Sequence, residues 1–350
     1  MEANRQIGTV LTFTIRLLFF ILLVMVAVNL CIVLNISLPD RSHMSDMATI
    51  FISIVLEALP FIIIGSLAAS LIQLFISEEW IARVIPGNRL LGLLAAGLLG
   101  LIVPVCECAI IPIARGLMKK GVPAGIAITF MLAAPIVNPV VLVSTYYAFG
   151  GEPLMVLLRA GAGLSSALII GFIIDMAYGR SSPLKANTVH LHTHGHECHE
   201  GCCHHDGDEH EHSMLVEIVE HTTEEFYDVG KFLILGALIS TILQSAIPRQ
   251  YLLDTGSGSL LSIAAMMGFA YVVSLCSEAD AFVASTFAGQ FTTGSIVAFL
   301  ILGPMIDVKN TLMLRSSFKK GFSALLIALI FIVCFVISIG VGALTKGAGM

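Results

Sequence analysis

The chain has 350 residues, 57% of them hydrophobic and only 12% charged, with a mean hydropathy of +0.95. These values exclude a soluble globular domain and fit an all-α polytopic membrane protein. The formal charge of −6 is concentrated in one polar stretch, and no basic patch supports nucleic-acid binding.

In chain order, Arg5 and Arg16 precede an apolar run from Leu17 to Ile36. Such a run is long enough to cross ~30 Å of hydrocarbon. No small-x-small cleavage site follows it, so the expectation for residues 1–46 is a retained helix plus loop, with the N-terminus inside. A second helix is predicted from Met47 to Ile76, carrying Glu57 and Pro60, followed by a polar turn with Glu78, Glu79, Arg83 and Arg89. The run from Leu90 then enters Val103-Pro104-Val105-Cys106-Glu107-Cys108-Ala109-Ile110-Ile111-Pro112. A charge at bilayer depth costs at least ~2.5–3.5 kcal/mol on insertion scales, so Glu107 belongs to a cavity or pathway rather than a lipid face. The two prolines each remove a backbone donor and restrict the preceding residue, which predicts a break in the helix around Cys-Glu-Cys. Beyond Arg115, Lys119 and Lys120, an apolar helix to about Ala148 is expected to break at Ala133-Ala134-Pro135-Ile136-Val137-Asn138-Pro139, and another helix follows from Leu154 to Tyr178. The chain is polar from Gly179 to Glu225, and apolar spans resume near Phe232.

The second half echoes the first. Glu57, Gly65 and Gln73 match Asp228, Gly236 and Gln244 at one constant offset; Cys106 then falls on Cys276, and Pro135 and Asn138 fall on Pro304 and Asp307 with small drifts. The expectation is two homologous membrane repeats, residues 47–180 and 225–350, separated by a hydrophilic loop, 181–224. Matching broken helices in two halves point to a transport site at the repeat interface. If the Cys-Glu-Cys segment is a re-entrant hairpin, each half crosses three times and the second half is inverted. Arg83, Arg89, Arg115, Lys119, Lys120, Arg180 and Lys185 are then cytoplasmic. The segment of the second half that matches Arg115–Lys120 has no basic residue, and Arg315, Lys319 and Lys320 lie one loop later, as the positive-inside rule expects of an inverted copy.

Cys106, Cys108 and Cys276 offer soft sulfur donors, and Glu107, Glu278 and Asp280 add carboxylates, a set suited to Cu(I), Zn(II) or a thiophilic arsenic centre. Residues two apart on a regular helix face away from each other, so Cys106 and Cys108 share a ligand only where the backbone is unwound. Cys334, alone in an aliphatic helix, reads as a packing residue. Asn138 and Asp307 complete the site or bind a coupling ion, with Asp307 the better proton carrier. Glu57 and Asp228 are weaker candidates, explained equally by snorkelling or capping near helix ends.

The hydrophilic loop carries His190, His192, His194, His196, Cys198, His199, Cys202, Cys203, His204, His205, His210 and His212 among several acids. Imidazole and thiolate together favour zinc, copper or nickel over magnesium or calcium. The spacing fits no single finger, so several weak, exchanging sites are expected.

Pro104-Val105-Cys106-x-Cys108-x-x-x-Pro112, the basic Arg115-Gly-Leu-Met-Lys-Lys-Gly-Val-Pro and then Leu132-Ala-Ala-Pro-Ile-Val-Asn138-Pro139 resemble the predicted permease family that contains organoarsenical efflux permeases. The resemblance covers about residues 47–345, and the His/Cys-rich loop is most similar to a branch of copper/zinc efflux transporters. It implies a bacterial inner-membrane permease with Cys106, Cys108 and Asn138 as signature positions. Glu107 and Ala109 depart from the family's small polar residue and glycine, and the second half keeps only Cys276, which favours a cationic metal over an arsenical.

The function expected is secondary export of copper or zinc, collected on a cytoplasmic loop, with a soluble metal carrier as a possible partner. The alternatives are efflux of trivalent or organic arsenicals, and a membrane metal sensor or metallochaperone anchor. No GxxxxGK[ST] loop and no large aqueous domain is present, so no enzyme and no catalytic cofactor are expected. The oligomeric state is not legible in the sequence.

Overall fold

The computed structural model describes residues 41–75, 88–102, 107–179, 183–185, 214–246 and 259–347. The predicted first helix, Leu17–Ile36, and the entire His/Cys-rich tract lie outside the described residues.

The described residues form helices α1 (Arg41–Phe75), α2 (Arg89–Leu99), α3 (Glu107–Lys119), α4 (Ala124–Val137), α5 (Pro139–Ala148), α6 (Pro153–Tyr178), α7 (Met214–Ala246), α8 (Ser259–Val273), α9 (Ser277–Ser285), α10 (Thr293–Met305), α11 (Val308–Ser317) and α12 (Lys320–Gly347). No strand occurs among them, only two isolated bridges. The fold is therefore all-α, and five stretches are long and apolar enough to cross a membrane: Met47–Leu71, Ala124–Ala148, Pro153–Tyr178, Thr293–Ser317 and Lys320–Lys346. The last six helices follow the first six in order: a long helix, two short ones, two half-length ones and a long one. At about 1.5 Å per residue, α2, α3, α8 and α9 are each too short to cross ~30 Å of hydrocarbon.

Two of the five spans are interrupted, and local chemistry explains both breaks. In the first, Pro139 forces Asn138 out of the helical region, to φ −53° and ψ 129°. Asn138 Oδ1 then caps the new helix by accepting from Val140 N at 2.9 Å. In the second, Ile306 and Asp307 are extended, and Asp307 Oδ1 caps α11 by accepting from Asn310 N at 2.6 Å. No proline follows Asp307, so the side-chain cap carries that restart.

The interrupted spans are the centre of the molecule. They are 72% and 89% buried over their most apolar windows, against 33–44% for the other three. Exposed Leu56, Ile64, Leu157, Met176, Ile332 and Val336 on α1, α6 and α12 give those helices their apolar outer faces. Packing joins α4 to α6 and α10 to α12, α2 to α4 and α8 to α10, and α1 to α7. It also crosses between the halves in matched fashion, α3 against α11 and α9 against α5.

Two glycines permit close approaches of the helices that carry site residues. A Cβ on Gly65 of α1 would lie 2.6 Å from Ala109 Cβ on α3, and one on Gly236 of α7 would lie 2.4 Å from Lys309 Cα on α11. These are the two glycines that the internal repeat pairs. Each admits a short helix that carries site residues.

Two helix starts and one charge placement differ from the sequence reading. Helix α1 starts at Arg41 rather than Met47, and Glu57 lies well inside it rather than near an end. Helix α7 starts at Met214, so residues 214–224 are helical rather than loop; Glu217, Glu220, Glu224 and Glu225 are acceptable helix formers, and polarity alone did not end the helix. Arg115, counted above as a cytoplasmic loop charge, is buried within α3. Residues 183–185 are pinned to the turn between α11 and α12: Lys319 N donates to Pro183 O at 2.9 Å and Lys185 N to Ser317 O at 3.3 Å.

Candidate functional site

Helices α3, α9 and α11 all begin at the interface between the halves. Glu107 opens α3 and is 1% exposed, with Cys108 buried beside it. Cys276 and Ser277 open α9, and Asp307 and Lys309 open α11. One cavity is lined by Glu57, Glu107, Cys108, Ser274, Cys276 and Lys309, with Ile54, Ala58 and Phe61 as its apolar wall. The thiols of the two halves therefore face one space, together with two carboxylates and an amine. Glu57, exposed in the middle of α1, lines this cavity, so it is part of the site rather than a cap.

Lys309 is the centre of the polar contacts. Its Nζ donates to Glu107 Oε1 at 2.5 Å and to Ser274 O at 3.0 Å, and lies 2.9 Å from Asp307 Oδ2. The contacts to Glu107 and Ser274 are hydrogen bonds, and the contact to Asp307 is an ion pair without hydrogen-bond geometry. Lys309 is 3% exposed and Asp307 fully buried, so the group is a desolvated ion triad, tolerable because each member has a charged partner. Glu107 Oε2 is buried without a hydrogen-bond partner.

The mirrored junction is held differently. Arg159 of α6 is fully buried; its guanidinium donates to Thr145 Oγ1 on α5 at 2.8 Å and to Ser277 O at the start of α9 at 2.8 Å. Asp280 is buried one turn further along α9, close enough to Arg159 and Lys309 to interact electrostatically. Its Oδ2 has no hydrogen-bond partner.

The sequence candidates thus divide. Glu107, Cys108 and Cys276 meet at one cavity. Asp307 joins through Lys309, while Asp280 is buried behind the cavity and Glu278 is half-buried, neither of them lining it. Asn138 is buried at the start of α5, caps it, and does not line the cavity. Cys106 and the loop residues His190–His212 lie outside the described residues. Among the described residues no group of three or more His, Cys, Asp and Glu side chains is placed to hold a metal ion. Cys334 is a packing residue, fully buried with its Sγ 3.6 Å from Met305 Sδ.

Sequence reasoning missed Lys309 and Arg159. Each is a cation inside an apolar span, Thr293–Ser317 or Pro153–Tyr178, which is itself the signal of a functional position.

A family model described as a predicted permease matches residues 43–342. The chain belongs to that family. This permease is 43% identical to the UPF0718 protein YcgR of Bacillus subtilis over 84% of its own length and 96% of that protein's. It is 35% identical to a Streptococcus mutans protein named as a proposed subunit of a two-component membrane permease complex, over 78% of this chain and 87% of that one. It is 30% identical to the UPF0718 protein YraQ of Escherichia coli over 32% of each chain. No solved structure matches it significantly. Family membership and the membrane-length helices together make the permease a multi-pass membrane transporter, which points away from an enzyme.

Proposed function

We propose that this permease is a secondary transporter that exports soft metal ions such as copper or zinc across a bacterial inner membrane. The observation that carries the reading is the cavity that Cys108 and Cys276, from different halves, line together with Glu57 and Glu107, without being gathered into one ligating group. Thiolate and carboxylate donors suit Cu(I) or Zn(II), and a site made by both halves opens to either side as one half moves against the other. The His/Cys-rich tract, on the cytoplasmic side, collects metal and is the place where a soluble carrier would deliver it. Cys106, two residues before Cys108, would add a third thiol. The repeated order of helices supports two homologous halves; in this reading they are inverted, with α2–α3 and α8–α9 as re-entrant hairpins.

A second reading, efflux of trivalent or organic arsenicals, is favoured by Lys309 and the helix starts. An amine and three positive helix ends favour a neutral or anionic thiophilic cargo over a cation.

The test is elemental analysis of cells lacking their own exporters and expressing wild type, Cys108→Ala/Cys276→Ala, or a deletion of residues 190–212. Metal export predicts lower copper or zinc in wild type, no effect from the double variant and a weakened effect from the deletion. Unchanged copper and zinc with lower arsenic, and resistance intact in the deletion, replace the first reading by the second. A protein that binds metal and moves none would instead be a sensor.

A further inference from the structure

We propose that Lys309 is a tethered counter-cation, which occupies Glu107 while the site is empty and is displaced from it by the cargo. The inference rests on the reading that the cargo meets the Glu107 carboxylate, and deepens it by naming what balances that charge on the return of the empty transporter.

Three observations carry it. First, the amine bridges elements of both halves: Glu107 starts α3, Asp307 starts α11, and Ser274 lies in the short link between α8 and α9. A change in that contact is therefore felt where the halves meet. Second, Glu107 is held by Lys309 through one oxygen only. Its other oxygen, Oε2, is buried and without a hydrogen-bond partner, in a residue that lines the cavity beside Cys108. A buried carboxylate oxygen of this kind is an acceptor kept for something else. Third, Lys309 has somewhere to stay when it leaves Glu107. Asp307 Oδ2 at 2.9 Å and Ser274 O at 3.0 Å remain, so displacement strands neither the amine nor the acid that caps α11.

Charge balance then gives the cycle. With both carboxylates ionised, Glu107 and Asp307 against Lys309 leave one net negative charge in the empty triad. A copper(I) ion arriving at Glu107 neutralises that excess, a zinc(II) ion does so together with one thiolate of Cys108 or Cys276, and Lys309 withdraws to Asp307. When the cargo departs, the amine returns to Glu107, so no carboxylate crosses the low-dielectric centre without a cation beside it. A compact ammonium on a flexible stem suits this exchange, whereas a guanidinium fork would hold the carboxylate through both oxygens.

The prediction separates net transport from exchange. Without the amine, the loaded transporter still turns over but the empty one does not. The experiment uses the full chain in liposomes, with zinc and copper(I) as cationic probes and arsenite, an uncharged acid at neutral pH, as the probe whose ratio the amine should not govern. For each, net flux into cargo-free solution is compared with exchange of labelled for unlabelled probe. Lys309→Met should lower the ratio of net flux to exchange for the cations at least about tenfold, with Lys309→Arg recovering little of it. A cation ratio within about twofold of wild type overturns the proposal, as does loss of both fluxes from a variant that still binds its probe. If Lys309→Met does not fold, Asp307→Asn/Lys309→Met, which removes one buried acid with the amine and keeps a capping oxygen, is read by the same ratio. A wild-type protein that moves none of the probes overturns the transport reading, and this one with it.

Discussion

Asp307 has two separable roles, and two substitutions should resolve them. Its Oδ1 caps α11 through Asn310 N, and its Oδ2 holds Lys309. Asparagine keeps an oxygen for the cap, as Asn138 does at the matching break, but removes the charge. Alanine removes both. Breaking a buried ion pair by deleting one partner costs ~3–5 kcal/mol. Lys309 would keep Glu107 and the Ser274 carbonyl, which places Asp307→Asn near the lower end, about 3 kcal/mol of destabilisation. Loss of a cap adds ~1 kcal/mol, so Asp307→Ala should fall near 4. Equilibrium unfolding of the purified protein in one fixed detergent, followed by helical circular dichroism, measures both. An asparagine variant as stable as wild type would refute the ion-pair account, and an alanine variant no worse than asparagine would refute the cap.

Gly65→Ala and Gly236→Ala should each destabilise by ~1–3 kcal/mol, because the added methyl meets the backbone of Ala109 or Lys309. Gly161→Ala, where nothing lies within 4 Å, should be neutral or stabilise α6 by up to about 1 kcal/mol; equal effects at all three positions would contradict the close approaches. Arg159→Met should cost ~3–5 kcal/mol, since it strips Ser277 O and Thr145 Oγ1 of a donor and Asp280 of its nearby cation. Restored stability in Arg159→Met/Asp280→Asn is the signature of that coupling in the same unfolding assay. In variants with one remaining cysteine, a small maleimide should label half-buried Cys276 well before fully buried Cys334; the reverse order would place the cavity elsewhere.

The breaks at Asn138 and Asp307 were legible because proline and a capping side chain act locally, whatever the rest of the fold does. The meeting of Cys108 with Cys276 was legible only through the repeat, since more than 160 residues separate them. Lys309 escaped because its meaning is relational: two residues from Asp307 it reads as a helix-start charge, and only the packing of α11 on α3 brings it to Glu107. Arg159 escaped for the same reason, as its partners sit on α5 and α9. Glu278 and Asp280 could not be told apart in sequence. The turn of α9 buries one and leaves the other half out, and the phase of that helix is fixed by its neighbours.

The matched crossings, α3 on α11 and α9 on α5, are chemically unlike. Where the first joins Glu107 to Lys309, the corresponding positions of the second are Ser277 and Val140. A pair of identical polypeptides could not be built this way, because two-fold symmetry would write the same residues into both junctions. Joining the halves in one gene frees each junction to diverge, one keeping a buried lysine ion pair and the other an arginine strut. Separately expressed halves would have to find unlike partners, and two copies of either half would carry two of one junction's residues and none of the other's.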